Sequence, residues 1–433
     1  MDKAKHRRVI EWVKTFVIVL LVVSALLLGV QTGQFDELIG AIPFFGSVAR
    51  FMSSNQPGSE SPASSIIEAA RPHVIVITDD EGARCGVKYD TVLRNEVYDR
   101  MSIIVSEALG SVSEPVEISQ AQWRTALSRT GVYFEYAIPV KLSILYGWLG
   151  ARMPENINDV SLKRMLVTFG DERNRVYYYD MDNDLYFGAD TASTAGRTQE
   201  QMMPDAAYEI QFAFETDLAA GLTAPDTVLF KGNSTHPDIQ ATAAGSAEQL
   251  MDLIIEAVGH SYDSYSFYSI DGGTLVCVGT QFRIRADAQG FVFYRRTDGY
   301  PTLTNETQTY SEGESIERAR LVVSETIGKV SGNAVVFFES IETISENIHI
   351  VNFNYCIAGG RVFLRENNYA ARITIMSGVV IEAELNYKSY SLTDETTRLL
   401  PEPQAFAAAG GDFTLSYADI GAEVIPPFWG RGE

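Results

Sequence analysis

The chain has 433 residues, of which 46% are hydrophobic, and a formal net charge of -22. This length and apolar content are enough for two or three domains with ordinary cores, and they exclude a disordered protein. The acidity disfavours broad electrostatic attraction to nucleic acid or to an anionic membrane surface, so we expect no nucleic-acid partner.

The chain begins with a basic segment that is followed by an apolar one. Residues 1–14 carry five basic and two acidic side chains, a balance of 5 minus 2, or +3, and Thr15 to Val30 contain no charge. About 20 apolar residues span a membrane, and basic flanks stay in the cytoplasm. We therefore expect a cytoplasmic tail (1–14), a single-pass transmembrane anchor (15–31) and an extracytoplasmic bulk on a bacterial cell membrane. A cleaved signal peptide is the alternative, although no A-x-A site follows Val30.

A polar linker separates the predicted anchor from the folded part of the chain. Residues 32–70 are assigned to a juxtamembrane segment and a flexible linker, because residues 53–65 (SSNQPGSESPASS) are rich in Ser, Pro and Gly. The first folded domain is expected to begin near Arg71.

Residues 71–225 are predicted to form an N-terminal extracytoplasmic α+β domain. Residues 73–78 (HVIVIT) indicate a strand, and residues 96–112 have apolar side chains at helical spacing. Residues 165–189 contain three short strand-like runs separated by polar turns, which is typical of a β-meander.

The most apolar stretch after the N-terminus, residues 131–150, is not a second membrane span. Glu135 would place a charge inside the membrane, and Pro139 would interrupt a helix there. Residues 132–138 alternate and are rich in aromatic and β-branched side chains, which predicts a strand that Pro139 closes. Apolar side chains at helical spacing in residues 142–149 then predict an amphipathic helix that packs on the sheet.

Two further α+β modules are predicted, a central one over residues 226–310 and a C-terminal one over residues 311–433. Many strand-like runs are joined by short turns such as Gly359-Gly360, and short turns favour antiparallel pairing. The fold class is therefore α+β, with antiparallel sheets and packed helices.

Three similar segments, IVSEALG (104–110), LIIEAVG (253–259) and VVSETIG (322–328), indicate helices that pack on the strands after them. The alternative is that any amphipathic helix ending at glycine has this pattern.

The sequence offers no pattern for catalysis or metal binding. Five histidines occur without an H-E-x-x-H pair, and Cys85, Cys277 and Cys356 are too scattered for a zinc site or a disulfide framework, with one disulfide left open. Gly82 to Lys88 departs from a phosphate loop in two places, and Asp180 to Asp190 lacks the glycine of a calcium loop. We expect no catalytic, cofactor-binding or metal-binding residue, no cofactor and no enzymatic activity.

Both ends of the folded part resemble the YycH family. An Arg-Pro opening and a strand lead to a Trp-containing helix and then to a strand with an Ile-Pro step, at Arg71, Pro72, Trp123, Phe134, Ile138 and Pro139. The segment FTLSYADIGAEVIPPFWGRGE resembles the closing strand and Pro-x-Trp ending of YycH and its relative YycI, at Tyr417, Pro426, Pro427 and Trp429. Residues 190–310 match no part of that pattern.

The resemblance implies a regulator. YycH-like proteins associate with a sensor histidine kinase of the WalK (YycG) type, through their transmembrane helix and outer domains, and adjust its activity toward cell-wall genes. We therefore expect a membrane-anchored regulator that binds such a kinase, with a second YycH/YycI-like protein as a further partner. Two alternatives are left open: an extracytoplasmic binding or assembly module for cell-wall or sporulation components, and a wall hydrolase with paired carboxylates.

Overall fold

The computed structural model describes residues 71–170, 173–194, 207–216, 226–232, 234–260, 265–270, 273–298, 310–365, 369–409 and 413–430. The tail, anchor and linker predicted within residues 1–70 lie outside these ranges. Within them, no helix combines the length and apolar character that a membrane span requires. The domain boundaries predicted near residues 225 and 310 stay predictions.

A nine-stranded antiparallel sheet occupies the N-terminal part of the described chain. Its spatial order is β3-β7-β6-β5-β4-β1-β2-β8-β9. The strands are β1 (Val74–Thr78), β2 (Arg84–Val87), β3 (Val116–Ile118), β4 (Gly131–Lys141), β5 (Ser161–Thr168), β6 (Arg175–Asp180), β7 (Leu185–Asp190), β8 (Tyr208–Phe212) and β9 (Val228–Phe230). The predicted strand at 73–78 is confirmed as β1, and the predicted meander is confirmed as β5, β6 and β7.

Three helices accompany this sheet: α1 (Thr91–Gly110), α2 (Gln120–Leu127) and α3 (Leu142–Trp148). The helix predicted over residues 96–112 is confirmed as α1, but it begins five residues earlier. The Asp90 side chain accepts the Leu93 N–H at 2.9 Å and satisfies a donor that the first helical turn leaves unpaired. This cap sets the helix start upstream of the apolar pattern.

The prediction that Pro139 closes a strand is wrong. β4 continues to Lys141, and its pairing with β5 shifts register between Glu135 and Val140. Proline lacks an N–H, so it is tolerated where the ladder is already interrupted. The helix predicted after the proline is confirmed as α3, with Leu145 and Tyr146 fully buried.

An eleven-stranded sheet occupies the C-terminal part. Its order is β11-β12-β13-β14-β19-β18-β16-β17-β21-β23, and β15 pairs with the other edge of β16. The strands are β11 (Tyr265–Ile270), β12 (Thr274–Gly279), β13 (Phe282–Ala286), β14 (Phe291–Arg296), β15 (Val335–Ser345), β16 (Ile348–Ile357), β17 (Gly360–Leu364), β18 (Ala371–Met376), β19 (Val379–Asn386), β21 (Thr414–Asp419) and β23 (Pro427–Gly430).

The short turns at Gly359-Gly360 and Ser377-Gly378 join antiparallel neighbours, as predicted. One pair differs from the antiparallel expectation: β17 and β21 run parallel. A long connection that contains other elements joins these two strands, and such a connection permits the parallel direction that a short turn forbids.

A third, small sheet has the order β20-β10-β22, formed by β10 (Thr235–Ala243), β20 (Lys388–Arg398) and β22 (Val424–Ile425). Four further helices are α4 (Ala247–Ala257), α5 (Glu312–Glu325), α6 (Ile327–Val330) and α7 (Glu402–Ala409). α4 packs on β12, β13 and β14, which follow it, and α5 packs on β15, β16 and β18. The helices predicted from the repeated segments are therefore confirmed. α4 and α5 pack on strands that follow them, whereas α1 packs on β1, which precedes it, as well as on β6.

The alternation of side chains along a strand shows which face of the sheet α4 covers. In β13, Phe282, Ile284 and Ala286 are buried while Arg283 and Arg285 are exposed, because successive side chains point to opposite faces of a sheet. The apolar face of this region lies under α4, and the opposite face carries arginines.

Candidate functional site

Among the described residues, no group of three or more His, Cys, Asp or Glu side chains gathers in a way that would hold a metal ion. Two of the described histidines lie beside hydroxyl groups of the fold. His260 Nε2 lies 2.8 Å from the Tyr294 hydroxyl, and His349 Nδ1 lies 2.8 Å from the Ser315 hydroxyl. Burial lowers the pKa of all of these imidazoles and of His73, which disfavours their charged forms. The expectation of no catalytic or metal-binding residue stays a prediction.

The three cysteines are free thiols, so the disulfide left open by the sequence does not form in this structure. Cys85 is half-buried, and Cys277 and Cys356 are buried. Burial, followed by the nearby Asp79 charge, raises the pKa of Cys85 to about 11. Burial also raises the pKa of Cys356, even though Arg94 stabilises its thiolate. A thiol reacts as its thiolate, so these cysteines are poor nucleophiles.

The two sequence stretches that approach ligand-binding motifs are ordinary turns and strands. Gly82, with φ of 81°, lies in the turn between β1 and β2, and the residues that follow form β2 instead of a phosphate loop. The Asp180 carboxylate accepts the Asp182 N–H at 2.9 Å, which closes the turn between β6 and β7. Its oxygens therefore stabilise a turn, as the sequence predicted.

A shallow cavity of about 320 Å³ lies at one end of the N-terminal sheet, where the β1–β2 turn meets the ends of β4, β5 and β6. Asp79 accepts the N–H groups of its own turn, Asp80 accepts the Thr130 hydroxyl at 2.9 Å, and Arg175 pairs with Asp190 at 2.6 Å. Asp79, Asp80 and Arg175 therefore have partners within the fold, and Arg129 and Arg173 also line the cavity.

The most distinctive polar arrangement is a buried cluster around Glu402, in the first turn of α7. Glu402 has no exposed surface, and Lys88, which follows β2, is 8% exposed. The Lys88 Nζ lies 3.7 Å from Glu402 Oε1, the Tyr89 hydroxyl donates to the same oxygen, and the Phe230 N–H donates to Oε2 at 2.9 Å. Each carboxylate oxygen therefore has a donor, which is what a buried charge requires.

Aromatic rings extend this cluster, which we call the Glu402 junction (Lys88, Tyr89, Phe230, His236, Glu402 and Trp429). His236 stacks edge-on between Tyr89 and Trp429, with ring centroids 4.7 and 5.5 Å apart. Neither nitrogen of this imidazole has a hydrogen-bond partner among the described residues. Burial, and then the Lys88 charge, lower the pKa of His236 to about 4, so the ring is neutral at pH 7.

The Glu402 junction joins distant parts of the chain. It brings the end of β2 and β9 of the nine-stranded sheet against β10 of the small sheet, α7 and β23 of the eleven-stranded sheet. Gly359, with φ of 73°, completes it: a Cβ at this position would lie 3.0 Å from the Lys88 carbonyl oxygen and 2.9 Å from the Tyr89 ring. The arrangement connects the sheets through buried contacts, and the Glu402 and Lys88 charges compensate each other.

The residues on which the family resemblance rests lie in two different regions of the structure. Trp123 and Phe134 are buried in the N-terminal sheet region, and Arg71 lies at its surface beside Asp99, 3.5 Å away. Trp429 enters the Glu402 junction and donates its indole N–H to the Leu400 carbonyl at 2.9 Å. Tyr417 is buried nearby and donates to the Pro237 carbonyl at 3.0 Å. The closing segment therefore packs where the sheets meet.

Sequence reasoning did not identify Glu402 or His236. Glu402 is one of 56 acidic residues, and no spacing in the sequence distinguishes it from the exposed ones. The only available signal is its position between Pro401 and Pro403 at a helix start, where an acidic residue is common for local reasons.

Comparison with known proteins supports the resemblance at the level of the fold. No family model and no curated protein sequence matches the chain. The crystal structure of YycH from Bacillus subtilis matches 84% of this chain and 94% of that chain, with a TM-score of 0.53 at 12% identity. An uncharacterized protein from Eubacterium rectale matches 46% of this chain and 77% of its own, with a TM-score of 0.32 at 14% identity. The described part of the chain therefore has a YycH-like fold.

Proposed function

We propose that the chain is a membrane-anchored extracytoplasmic regulator that binds a sensor histidine kinase of the WalK (YycG) type and modulates its control of cell-wall genes. The observation that carries the proposal is the YycH-like fold, matched over 84% of this chain and 94% of the YycH chain. The resemblance of both ends of the sequence to the YycH family adds to it. A regulator of this kind acts through contact surfaces, and we propose that it is not an enzyme.

The proposal includes single-pass anchoring by residues 15–31, with the N-terminus in the cytoplasm and the bulk outside. The apolar stretch and its basic flank support this orientation. Ser24, Ala25 and Gly29 are small residues that permit close approach of a neighbouring transmembrane helix. We propose that this helix packs beside those of the kinase, and that a second YycH/YycI-like protein shares the complex.

Topology is tested with reporter fusions after residue 70. Alkaline phosphatase is active only outside the cytoplasm, and green fluorescent protein exported through the general secretory route does not fluoresce. We expect phosphatase activity in the membrane fraction and no fluorescence from the matched fusion. Fluorescence with no phosphatase activity would overturn the predicted orientation. Phosphatase activity recovered only in the culture medium would indicate a cleaved signal peptide.

Kinase binding is tested with the full-length chain and the WalK-type kinase of the same bacterium, co-expressed and purified from detergent-solubilised membranes through a tag on the chain. We expect the kinase to co-purify and transcription of its target genes to change when the chain is deleted. The matched control replaces residues 15–31 by an unrelated transmembrane helix and should recover less kinase. No kinase recovery, together with unchanged target transcription, would overturn the proposal.

A further inference from the structure

The Glu402 junction contains a buried imidazole without a hydrogen-bond partner. His236 lies on β10, the central strand of the small sheet, and is 1% exposed. Neither of its ring nitrogens has a partner in the described part of the chain. A neutral imidazole carries one N–H donor and one acceptor, and buried groups of this kind are nearly always paired. His236 is therefore an unusual side chain for the interior of a protein.

Two aromatic rings from distant parts of the chain hold the imidazole. Tyr89, which follows β2, has its ring centroid 4.7 Å from that of His236, and Trp429 of β23 lies 5.5 Å away on the same measure. Both rings meet the imidazole at steep angles, 63° and 81°. Tyr89 is buried, whereas Trp429 is half-buried. Trp429 is therefore the more exposed of the two rings that cover His236.

The nearest charges to His236 are already paired with each other. The Lys88 ammonium lies 3.7 Å from a Glu402 oxygen, and it also lies over the Tyr89 ring, 5.0 Å from the centroid. The Glu402 carboxylate accepts from the Tyr89 hydroxyl and the Phe230 N–H as well, so it is shared among three donors. A second cation in this junction would compete with Lys88 for the same carboxylate.

The neighbouring strands do not offset this effect. The other polar side chains that they place around the junction are Thr397 and Arg398 of β20, Cys356 of β16, Tyr417 of β21 and Asp238 of β10 itself. Asp238 is the carboxylate in this set, and it is 9% exposed. Burial, followed by the Lys88 charge, lowers the pKa of His236 to about 4, and neither Asp238 nor Glu402 raises it.

Protonation of His236 within the closed junction is therefore costly. An imidazolium would place a second positive charge beside Lys88, away from water, with two unpaired N–H donors. Water can pair both donors once the ring is exposed, and the pKa of the imidazole then returns to its ordinary value of 6.5. Acid therefore favours a state of the chain in which His236 is exposed.

β23 is the element whose movement would expose His236 with the fewest losses. It has four residues, and in the described part of the chain it lies at one end of the eleven-stranded sheet, paired with β21. Its Phe428 is 39% exposed, so this strand buries little of its own apolar surface. β2, by contrast, lies inside the nine-stranded sheet between β1 and β8. Short, partly exposed elements at the end of a sheet open at lower free energy than interior strands.

We propose that the Glu402 junction is an acid-sensitive latch, in which protonation of His236 releases β23 and its Trp429 ring while the rest of the fold stays intact. At neutral pH the uncharged imidazole fills the space between Tyr89 and Trp429 and keeps the sheets in contact. In acid, a proton from solvent gives the ring a positive charge beside Lys88, and Trp429 moves aside so that water reaches both N–H groups. This inference goes beyond the proposed function and does not rest on the chain binding a kinase.

The test is hydrogen–deuterium exchange of the purified full-length chain in detergent solution, at about pH 7 and about pH 4, followed by mass spectrometry. Protection factors, corrected for the intrinsic effect of pH on exchange, report the ratio of closed to open states. One proton that binds with a pKa of about 4 in the closed state and 6.5 in the open state raises the open fraction about a hundred-fold between these pH values. We expect the protection factors of peptides that cover β23 to fall about a hundred-fold, and those of β13 and β14 to change by less than about three-fold.

Two variants assign the effect to His236. His236→Phe fills the same space with a ring that binds no proton, and His236→Leu does so with an aliphatic side chain, so the assignment does not depend on how one replacement packs. Both should abolish the acid-dependent loss of protection in β23. The matched control is His73→Gln, because burial and then the Lys88 charge lower the pKa of His73 as well. This control should keep the loss.

Circular dichroism spectra at neutral pH confirm that the variants fold as the parent does. A loss of protection in β23 that persists in both His236 variants would assign the effect to a carboxylate such as Glu402 and overturn the proposal. Absence of the loss in the parent, or its disappearance in His73→Gln, would do the same. A loss of equal size in β13, β14 and β23 would indicate global unfolding instead of a latch.

Discussion

Replacing Glu402 by glutamine is expected to destabilise the fold severely. Glu402 has no exposed surface, and its carboxylate lies 3.7 Å from the Lys88 ammonium, which is itself 8% exposed. Removing one partner of a buried ion pair leaves the other charge uncompensated, which typically costs about 3–5 kcal/mol. Glutamine retains an oxygen that accepts the Phe230 N–H, so we expect the lower end, about 3 kcal/mol.

Glu402→Ala removes more. It leaves the Tyr89 hydroxyl and the Phe230 N–H without their acceptor, in addition to the Lys88 charge. An unsatisfied buried donor costs about 1–3 kcal/mol, so the loss in the free energy of unfolding should approach about 5 kcal/mol. We therefore expect the free energy of unfolding to fall in the order parent, Glu402→Gln, Glu402→Ala.

The assay is urea unfolding of the full-length chain in detergent solution, followed by tryptophan fluorescence, to which Trp429 of the junction contributes. The control is Glu325→Gln, which breaks the exposed pair of Glu325 with Lys329 and should cost less than about 1 kcal/mol. The double variant Lys88→Met, Glu402→Leu removes the uncompensated Lys88 charge and should be more stable than Glu402→Ala, but it still lacks an acceptor for Tyr89 and Phe230 and should stay below the parent. A Glu402→Gln variant as stable as the control would refute the reasoning.

Three further predictions concern the same region and the thiols. The pKa of His236 is lowered from 6.5 to about 4 in the folded chain. As the pH falls from about 6.5 to about 4, the unfolded chain binds a proton at His236 that the folded chain does not, so the free energy of unfolding falls by about 3 kcal/mol. His236→Phe should flatten that pH dependence in urea midpoints measured at about pH 7 and about pH 4.5, and an unchanged slope would contradict the assignment. Gly359→Ala should cost more than about 2 kcal/mol in urea unfolding, because strain at positive φ adds to contact with Lys88 and Tyr89. Gly82 also has a positive φ, of 81°, but a Cβ there would meet no atom within 4 Å, so Gly82→Ala should lower the free energy of unfolding by only about 1 kcal/mol. Equal losses for the two glycine variants would show that the contact of residue 359 with Lys88 and Tyr89 is unimportant. The pKa of Cys85 is raised from 9.0 to about 11 in the folded chain, so at about pH 8 its thiol should react with a thiol reagent about a hundred-fold more slowly than in the urea-unfolded chain. Three thiols should react in urea. Fast labelling of the folded chain, or fewer than three reactive thiols in urea, would contradict the structure.

The elements that the sequence predicted correctly depend on local patterns. Alternation in residues 132–138, helical spacing before Gly110 and the polar turns within residues 165–189 each reflect which face of an element is buried, and this is a property of adjacent residues. The error at Pro139 has a physical reason. A proline ends a strand only where its missing N–H is needed, and a register shift between Glu135 and Val140 removes that need. The shift depends on β5, which the local sequence does not contain.

The family resemblance could also be found in the sequence, because each of its short motifs consists of neighbouring residues. The candidate site could not be found in this way. Lys88, His236, Glu402 and Trp429 are scattered over more than 300 positions, and the fold brings them together. The position of β11 at one end of the eleven-stranded sheet is likewise invisible in YSFYSI, which is equally typical of an interior strand. The sequence by itself thus determined the acidity and the α+β class, because these follow from composition and local periodicity, and it predicts an anchor that stays a prediction. Only the tertiary structure decided which carboxylate is buried and which strand is left at an edge, because burial and strand neighbours are set by residues far apart in the chain.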